Sequence, residues 1–500
     1  MPLSASVGLI RLPEETLQPG LAQVSIHLAR VDIVGSTAFH RGELERLYSG
    51  LLGKVITLAD VYALVQRITK LYGDDGYVLT RAVVPPQEID PKKATVTIDV
   101  SEAYIDKVEW PATTNRYRDL FTAYASKITA EHPSNMKTVM RYLLLAGDLP
   151  GIEVTSRFEA SATNPHASTL VVEMKEKPVD VSAQIDNHGT EARGPWEYLV
   201  SATFNNILGQ QESLTATLAG ATQTSELTYA ALGYKQVLNE EGLTAFAAVN
   251  YSWGSPGTAI LQALEFSSTS LQADVGLSLP VVRGRDTNIT LSALAFLSNN
   301  EGQLLGAPDS DDRLRGLRLA ALGDHADELN GVSQFSVTFS QGLVLAGSSN
   351  NGDPLLSREN GRVDFTKLEG SVSRTQKLGA GISLYAAAQG QYAFTPLLSS
   401  EECGFGGKDF GRAFDPSELT GDDCLLLSGE VRLDPDIPND PMSMTELYGF
   451  IDYGTVFDIA PSVGSASNDA GASGGVGLRL SNDNFSTDLS AAKPLFGSER

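Results

Sequence analysis

The feature that most constrains this chain is an alternation of apolar and polar residues that begins near residue 179 and continues almost to the C-terminal end. It is clear in 196–204, in 270–279 and in 425–433, where apolar residues occupy one face and polar residues the other. Successive side chains of a β-strand point to opposite faces, so a period of two predicts strands. The pattern predicts fifteen strands between residues 179 and 491.

Two architectures give this pattern, a soluble β-sandwich and a transmembrane β-barrel. The segments are about ten residues long and are separated by turns, as in outer-membrane barrels. A closed barrel also removes the sheet edges that so many strands would otherwise expose. Aromatic residues lie near the strand ends, namely Trp196, Tyr251, Trp253, Tyr392 and Tyr453. We therefore predict an all-β transmembrane antiparallel barrel over residues 178–500.

The N-terminal third of the chain mixes helix and strand patterns. Thr57 followed by Asp60 predicts a helix start, and apolar residues then recur at helical spacing as far as Tyr72. Strands are predicted at 77–84 and 94–100. A second round is predicted as a strand, two helices and two strands at 104–110, 117–128, 135–146, 152–159 and 168–175. The repetition indicates two related α+β domains.

The net charge of −24 argues against nucleic acid as a partner, because neutralising phosphates requires clustered Lys and Arg. The negative charge is consistent with a solubilising surface or with an acidic lumen and acidic outer loops. The sequence has no run of about 18 apolar residues, so no transmembrane helix is predicted.

Cys403 and Cys424 are the two cysteines of the chain, and they bracket the stretch "FGGKDFGRAFDPSELTGDD" at 405–423. One pair around one loop favours a disulfide formed in an oxidising compartment, although two unrelated thiols would give the same count. The N-terminus shows no charged-then-apolar signal segment, so export requires that the natural chain starts upstream of residue 1.

Five motifs of this chain are similar to motifs of one known family. One is "IDNHGTEARGPWEY" (185–198), which resembles the first hairpin of the family's barrel. The other four are "LYGDDGYVLTRAVVPPQEI" (71–89), "LLLAGDLPGIEV" (143–154), "FGRAFDPSELTGD" (410–422) and "YGFIDYG" (448–454). Of these four, the first two resemble the periplasmic POTRA domains of two-partner secretion transporters of the outer membrane, haemolysin secretion and activation type. The third resembles the family's long loop that folds back into the pore, and the fourth resembles the following strand.

The resemblance implies a domain plan. We expect a linker at 1–21, POTRA domain 1 at 22–106, POTRA domain 2 at 107–177, and the barrel at 178–500 with a pore loop at 394–423. The family barrel has sixteen strands, so fifteen strands and the ending "KPLFGSER" predict a missing last strand and an open seam beside the first. Residues 1–20 resemble a linker containing Pro, so the family's N-terminal plug helix is expected to be absent or to lie upstream.

The resemblance also implies a site at the tip of the pore loop. The family's Val-Arg-Gly-Tyr/Phe element corresponds to 411–414, where Arg412 and Phe414 are kept while the Val and the Gly are replaced. Arg412 is expected to pair with Asp452 on the lumen wall. The alternation independently places Asp452 on the face opposite its two apolar neighbours, which is the lumen side of a barrel strand.

The function implied by the resemblance is capture of an unfolded partner in the periplasm through the POTRA domains, followed by translocation to the cell surface. The expected partner is a large secreted exoprotein, similar to an adhesin or haemolysin, with an N-terminal secretion domain; outer-membrane lipid surrounds the barrel. The alternative is a POTRA-barrel insertase that assembles outer-membrane proteins. A passive porin is disfavoured, because it needs neither POTRA domains nor a pore loop.

No motif indicates an enzyme. The chain lacks His-Glu-x-x-His and Cys-x-x-Cys, and the tripeptide at 409–411 that resembles a kinase motif has no catalytic-loop context. We predict no enzymatic activity, no cofactor and no metal. "PDSDD" at 308–312 is interpreted as a solvated acidic loop rather than a calcium site.

Overall fold

The computed structural model describes residues 24–111, 117–164, 167–345, 347–435, 437, 442–461 and 467–497. The predicted linker at 1–21, and with it the question of a plug helix, lies outside these residues. The chain divides into two compact units between Lys177 and Pro178. No helix in the described ranges is long and apolar enough to cross a membrane.

The N-terminal unit begins with a four-stranded sheet in the order β2-β1-β4-β3. Its elements are β1 Ser25–Val34, α1 Arg41–Tyr48, β2 Val55–Thr57, α2 Leu58–Asp74, β3 Arg81–Val83 and β4 Ala94–Ser101. Helix α2 begins at the predicted position because Thr57 and Asp60 form a reciprocal capping box. The strand predicted at 77–84 is reduced to β3, because the N–H of Tyr77 bonds to the carbonyl of Tyr72 and 77–80 forms a turn.

The second half of this unit is a three-stranded sheet with two helices. Its elements are β5 Tyr104–Glu109, α3 Arg118–Thr129, α4 Met136–Gly147, β6 Ile152–Ala160 and β7 Ala167–Glu176. The sheet order is β5-β7-β6, with β5 parallel and β6 antiparallel to β7. Phe121 and Tyr124 of α3 are buried in the core. The predicted order of a strand, two helices and two strands is confirmed.

The main sheet of the C-terminal unit is antiparallel and has fifteen strands, as predicted. The strands are β8 Val179–Asp186, β9 Glu197–Asn205, β10 Glu212–Ala221, β11 Thr228–Val237, β12 Thr244–Gly254, β13 Ser267–Arg283, β14 Thr287–Leu304, β15 Ala307–Ala326, β16 Gly331–Gly342, β17 Thr366–Gly379, β18 Ile382–Ala393, β21 Asp423–Leu433, β22 Met444–Phe457, β23 Asn468–Ser481 and β24 Ser486–Phe496. A short helix, α5 Ala259–Ala263, lies between β12 and β13. Strands β8 and β24 are at the two ends of the sheet, and no pairing joins them within the described residues.

The two faces of this sheet have opposite chemistry. On β21, Leu425, Leu427 and Val431 are exposed, whereas Ser428 and Glu430 between them are buried. This arrangement is the reverse of a water-soluble sheet, and it suits a barrel whose outer face meets lipid and whose polar face lines the interior.

The acidic stretch 308–312 is part of strand β15, so its interpretation as a solvated loop is wrong. Pairing with β14 extends the strand through this stretch. Asp312 is buried and accepts the backbone N–H of Ser357 at 2.9 Å. Across the described part of the chain, no group of three or more His, Cys, Asp or Glu side chains is placed to hold a metal ion.

Candidate functional site

The connection between β18 and β21, which contains the pore loop at 394–423, folds against the inner face of strands β21 to β23. Its two limbs pair as a small hairpin of β19 Cys403–Phe405 and β20 Leu419–Gly421. Cys403 is disulfide-bonded to Cys424, with 6.1 Å between their Cα atoms. The bond ties the limb of the loop that contains β19 to the first residues of strand β21.

Two aromatic rings attach the loop to the barrel wall. Phe405 is fully buried, and its ring centroid lies 5.3 Å from that of Phe414. Gly454 of β22 pairs with Gly471 of β23 directly beneath the Phe405 ring. A Cβ atom on Gly454 would lie 2.1 Å from Cδ2 of Phe405, so the ring fits because a side chain is absent there. Phe414 is a residue expected from the sequence, whereas Phe405 was missed.

The structure brings Arg412 and Asp452 into direct contact. Arg412 Nε lies 3.0 Å from Asp452 Oδ2, and Nη2 lies 2.7 Å from Oδ1, which is the forked geometry that guanidinium and carboxylate prefer. The backbone N–H of Arg412 donates to the same carboxylate at 3.1 Å. The side chain of Arg412 is only 8% exposed, and that of Asp452 is fully buried. The contact therefore joins the loop tip to the wall with little access to water.

Strand register supplies further donors to Asp452. Ser428 of β21 and Ser473 of β23 are its direct cross-strand partners. Their hydroxyls donate to its carboxylate at 2.8 and 3.2 Å. A buried carboxylate is stable only when its oxygens are hydrogen-bonded, and both of these donors belong to strands of the wall rather than to the loop. Asp452 is thus held in position by the wall itself.

Glu430 extends this contact into a network. Arg412 Nη1 forms a salt bridge with Glu430, and Arg432 and Arg479 donate to the same carboxylate at 2.7 and 3.0 Å. Arg412 also stacks on the ring of Phe450, with 3.6 Å between Cζ and the ring centroid. We call Arg412 and its two carboxylate partners, Asp452 and Glu430, the Arg412 network.

The sequence did not single out Glu430, Arg479 or the two serines. A partial signal was present, because the alternation places Ser428 and Glu430 on the polar face of β21. Their relation to Arg412 depends on strand register and on the path of the loop, which no local pattern encodes.

A β-barrel with an N-terminal α/β region and a charged loop anchored in its interior belongs to the class of outer-membrane barrels that carry periplasmic POTRA domains. The sequence matches the family of haemolysin secretion/activation proteins ShlB/FhaC/HecB over residues 167–480, and the ShlB-type POTRA domain over residues 26–103. The chain belongs to this family.

Curated relatives and solved structures are consistent with this assignment. The heme/hemopexin transporter protein HuxB of Haemophilus influenzae (strain 86-028NP) is 21% identical over 91% of this chain and 80% of its own length. The outer membrane transporter CdiB of Dickeya dadantii (strain 3937) is 21% identical over 77% of this chain and 68% of its own. The structure of CdiB from Escherichia coli has a TM-score of 0.76 and 18% identity, covering 98% of this chain and 90% of that one.

Family membership establishes the general function. The chain is a two-partner secretion transporter of the outer membrane, with POTRA domains in the periplasm, and it moves a large secreted partner to the cell surface. BamA from Haemophilus ducreyi shares the fold, with a TM-score of 0.51 and 14% identity over 94% of this chain and 96% of that one. That likeness concerns the fold alone.

Proposed function

We propose that the Arg412 network holds the pore loop inside the barrel, and that its release accompanies passage of the unfolded partner. The contact of Arg412 with Asp452 and Glu430 carries this proposal. All three acceptors of the guanidinium, including Ser428, lie on strands of the wall, so these bonds connect loop to barrel. Binding and release drive the process, with no catalytic step and no cofactor.

Two cavities border the loop and support a gating role. One of about 690 Å³ lies between the loop and strands β8 to β12, and one of about 400 Å³ lies between the loop and strands β17 and β18. Lys408, Asp409 and Phe410 line both cavities. Displacing these three residues would enlarge both cavities, which would give an extended polypeptide more room beside the wall.

Deleting the gene from its host distinguishes a secretion transporter from an insertase that assembles other barrels, because the two functions predict opposite changes in the exported protein and in other outer-membrane proteins. We expect the secreted exoprotein partner to accumulate in the periplasm, while the amounts of other outer-membrane proteins stay unchanged. Quantitative mass spectrometry of periplasm, outer membrane and cell surface measures both, with the intact chain restored as the control. A general loss of outer-membrane proteins with normal exoprotein export would favour the insertase instead.

We also propose that capture uses strand β6. Strands β2, β3, β5 and β6 are the ends of the two N-terminal sheets, with lengths of three, three, six and nine residues. An unfolded segment that adds a strand gains main-chain hydrogen bonds in proportion to edge length, whatever its sequence. Among the described edges, β6 therefore offers the most bonds. We also propose the domain boundaries that the sequence predicts, with POTRA domain 1 at 22–106, POTRA domain 2 at 107–177 and the barrel at 178–500.

Hydrogen exchange tests this assignment. When the urea-unfolded N-terminal part of the exoprotein is diluted onto the full chain in detergent, we expect amide exchange to slow across Ile152–Ala160. Exchange across Arg81–Val83 should be unchanged, because that edge is too short, and it serves as the internal control. Equal protection of both edges, or protection of neither, would contradict capture by β6.

A further inference from the structure

A second ion cluster, half-buried and built around the buried Asp422, lies at the other end of the pore loop. Arg358, in the connection between β16 and β17, donates to Asp422 at 2.6 and 3.3 Å and to the carbonyl of Leu397 at 2.8 Å. Its guanidinium also lies 2.9 Å from Glu402 and 3.0 Å from Asp458. The Arg358 side chain thus contacts both limbs of the pore loop and Asp458, the residue that follows strand β22.

Asp422 is the carboxylate of this cluster with the most hydrogen-bond donors. Asp422 is fully buried and also accepts the backbone N–H groups of Leu397 and Ile459 at 2.7 and 2.9 Å. Three carboxyl groups around one guanidinium would leave excess negative charge if all were ionised. Burial raises the pKa of Glu402 to about 7, so this carboxyl is partly protonated at neutral pH and the excess is reduced.

A neighbouring contact fixes the same part of the loop. Glu401 lies 2.9 Å from Lys367 Nζ and 2.7 Å from Arg318 Nη2, and Lys367 also donates to the Glu401 carbonyl. Glu401 and Lys367 are 4% and 5% exposed. The disulfide and the β19–β20 hairpin lie directly beyond these contacts. We call residues 394–405 and 419–422 the base segment.

Residues 406–418, the tip segment, are attached differently. Four of them adopt a left-handed backbone, namely Gly406, Gly407, Gly411 and Ser417, and three of these flank the ends of the segment. Glycine changes direction there at little cost, which suits a hinge. The side-chain bonds of the tip to the barrel wall centre on Arg412.

We propose that Arg358 is a positioning residue that clamps the base segment, so that opening moves only the tip segment about a fixed base. This inference rests on the proposed role of the Arg412 network, which it deepens. The guanidinium of Arg358 bonds both limbs of the loop at once, so removing it loosens the base even when the tip remains bound and the other base contacts persist. The two attachments release independently.

Distances between spin labels test the clamp on the full chain in detergent. One label replaces Lys377, an exposed residue on β17, and the second replaces either Lys408 in the tip or Ser400 in the base, both exposed. The native cysteines are bonded to each other and do not react with the label. We expect Arg412→Ala to broaden the 377–408 distances and leave the 377–400 distances unchanged.

Arg358→Gln should broaden the distribution of 377–400 distances. Arg358→Lys, which keeps the positive charge but lacks the forked guanidinium group, should broaden it less. Arg362→Gln is the matched control, because Arg362 lies in the same connection and pairs with Asp364 on the surface. Heat-modifiable migration on gels confirms that each variant retains its barrel.

Unchanged 377–400 distances in Arg358→Gln would overturn the clamp, as would equal broadening of the 377–400 and 377–408 distances in Arg412→Ala. Unchanged 377–408 distances in Arg412→Ala would instead refute the proposed role of the Arg412 network.

Discussion

Replacing Arg412 with alanine is expected to strongly reduce export of the partner while the protein still inserts into the outer membrane. The change removes the guanidinium and leaves Asp452 and Glu430 without its charge. Breaking a well-buried ion pair costs about 3–5 kcal/mol, and less where water reaches the site. Since about 1.4 kcal/mol corresponds to a tenfold change in an equilibrium, the tip should leave its position far more often. Resting ion conductance should rise as a result.

A double-mutant cycle measures whether the contact acts as a unit. Export is compared for Arg412→Ala, Asp452→Ala and the double variant at matched amounts in the membrane. If the two residues work through their contact, the double variant is no worse than either single one, and simple addition of the effects would contradict this. Arg432→Ala is the matched control, because Arg432 contacts Glu430 from the wall and not from the loop. If Arg432→Ala lost export to a similar extent, the effect of Arg412→Ala would have to be explained by the electrostatics of the barrel wall rather than by release of the loop.

The barrel strands could be predicted because their signal is local. In a barrel, lipid and lumen impose opposite chemistry on successive residues, so each strand shows its period of two without reference to its partners. The same rule placed Asp452 on the inner face. The prediction of a loop at 308–312 was wrong for the same reason. This acidic stretch does not alternate with apolar residues, although strand β15 continues through it.

The contacts of the site could not be predicted in this way. Arg358 meets Asp422 and Asp458 across 64 and 100 residues of chain, and Glu430 meets Arg479 across 49. Such pairs follow from strand register and from the folding back of a loop, which one sequence does not record. The pairing of Arg412 with Asp452 was expected only because of the resemblance to a family.

The second large effect is expected from a substitution that changes no charge. Gly454 and Gly471 face each other on β22 and β23 and leave the space that the Phe405 ring occupies. In Gly454→Ala the new Cβ would lie 2.1 Å from a ring carbon, so ring and wall must separate. Overpacking of this kind costs about 1–3 kcal/mol. Because Phe405 also packs on Phe414 two residues from Arg412, the displacement should weaken the Arg412 contact and lower export.

Gly449→Ala is the matched control on the same strand, because a Cβ there has 3.9 Å to its nearest neighbour and needs no movement. Phe405→Ala removes the ring that Gly454→Ala would strike. We therefore expect Gly454→Ala to lower export in the native background and to add nothing in the Phe405→Ala background. Export and single-channel conductance of the four proteins in this cycle measure the coupling. An equal loss from Gly454→Ala in both backgrounds would mean that the glycine serves strand pairing rather than the seating of Phe405, and would contradict the expected effect of Phe405 on the Arg412 contact.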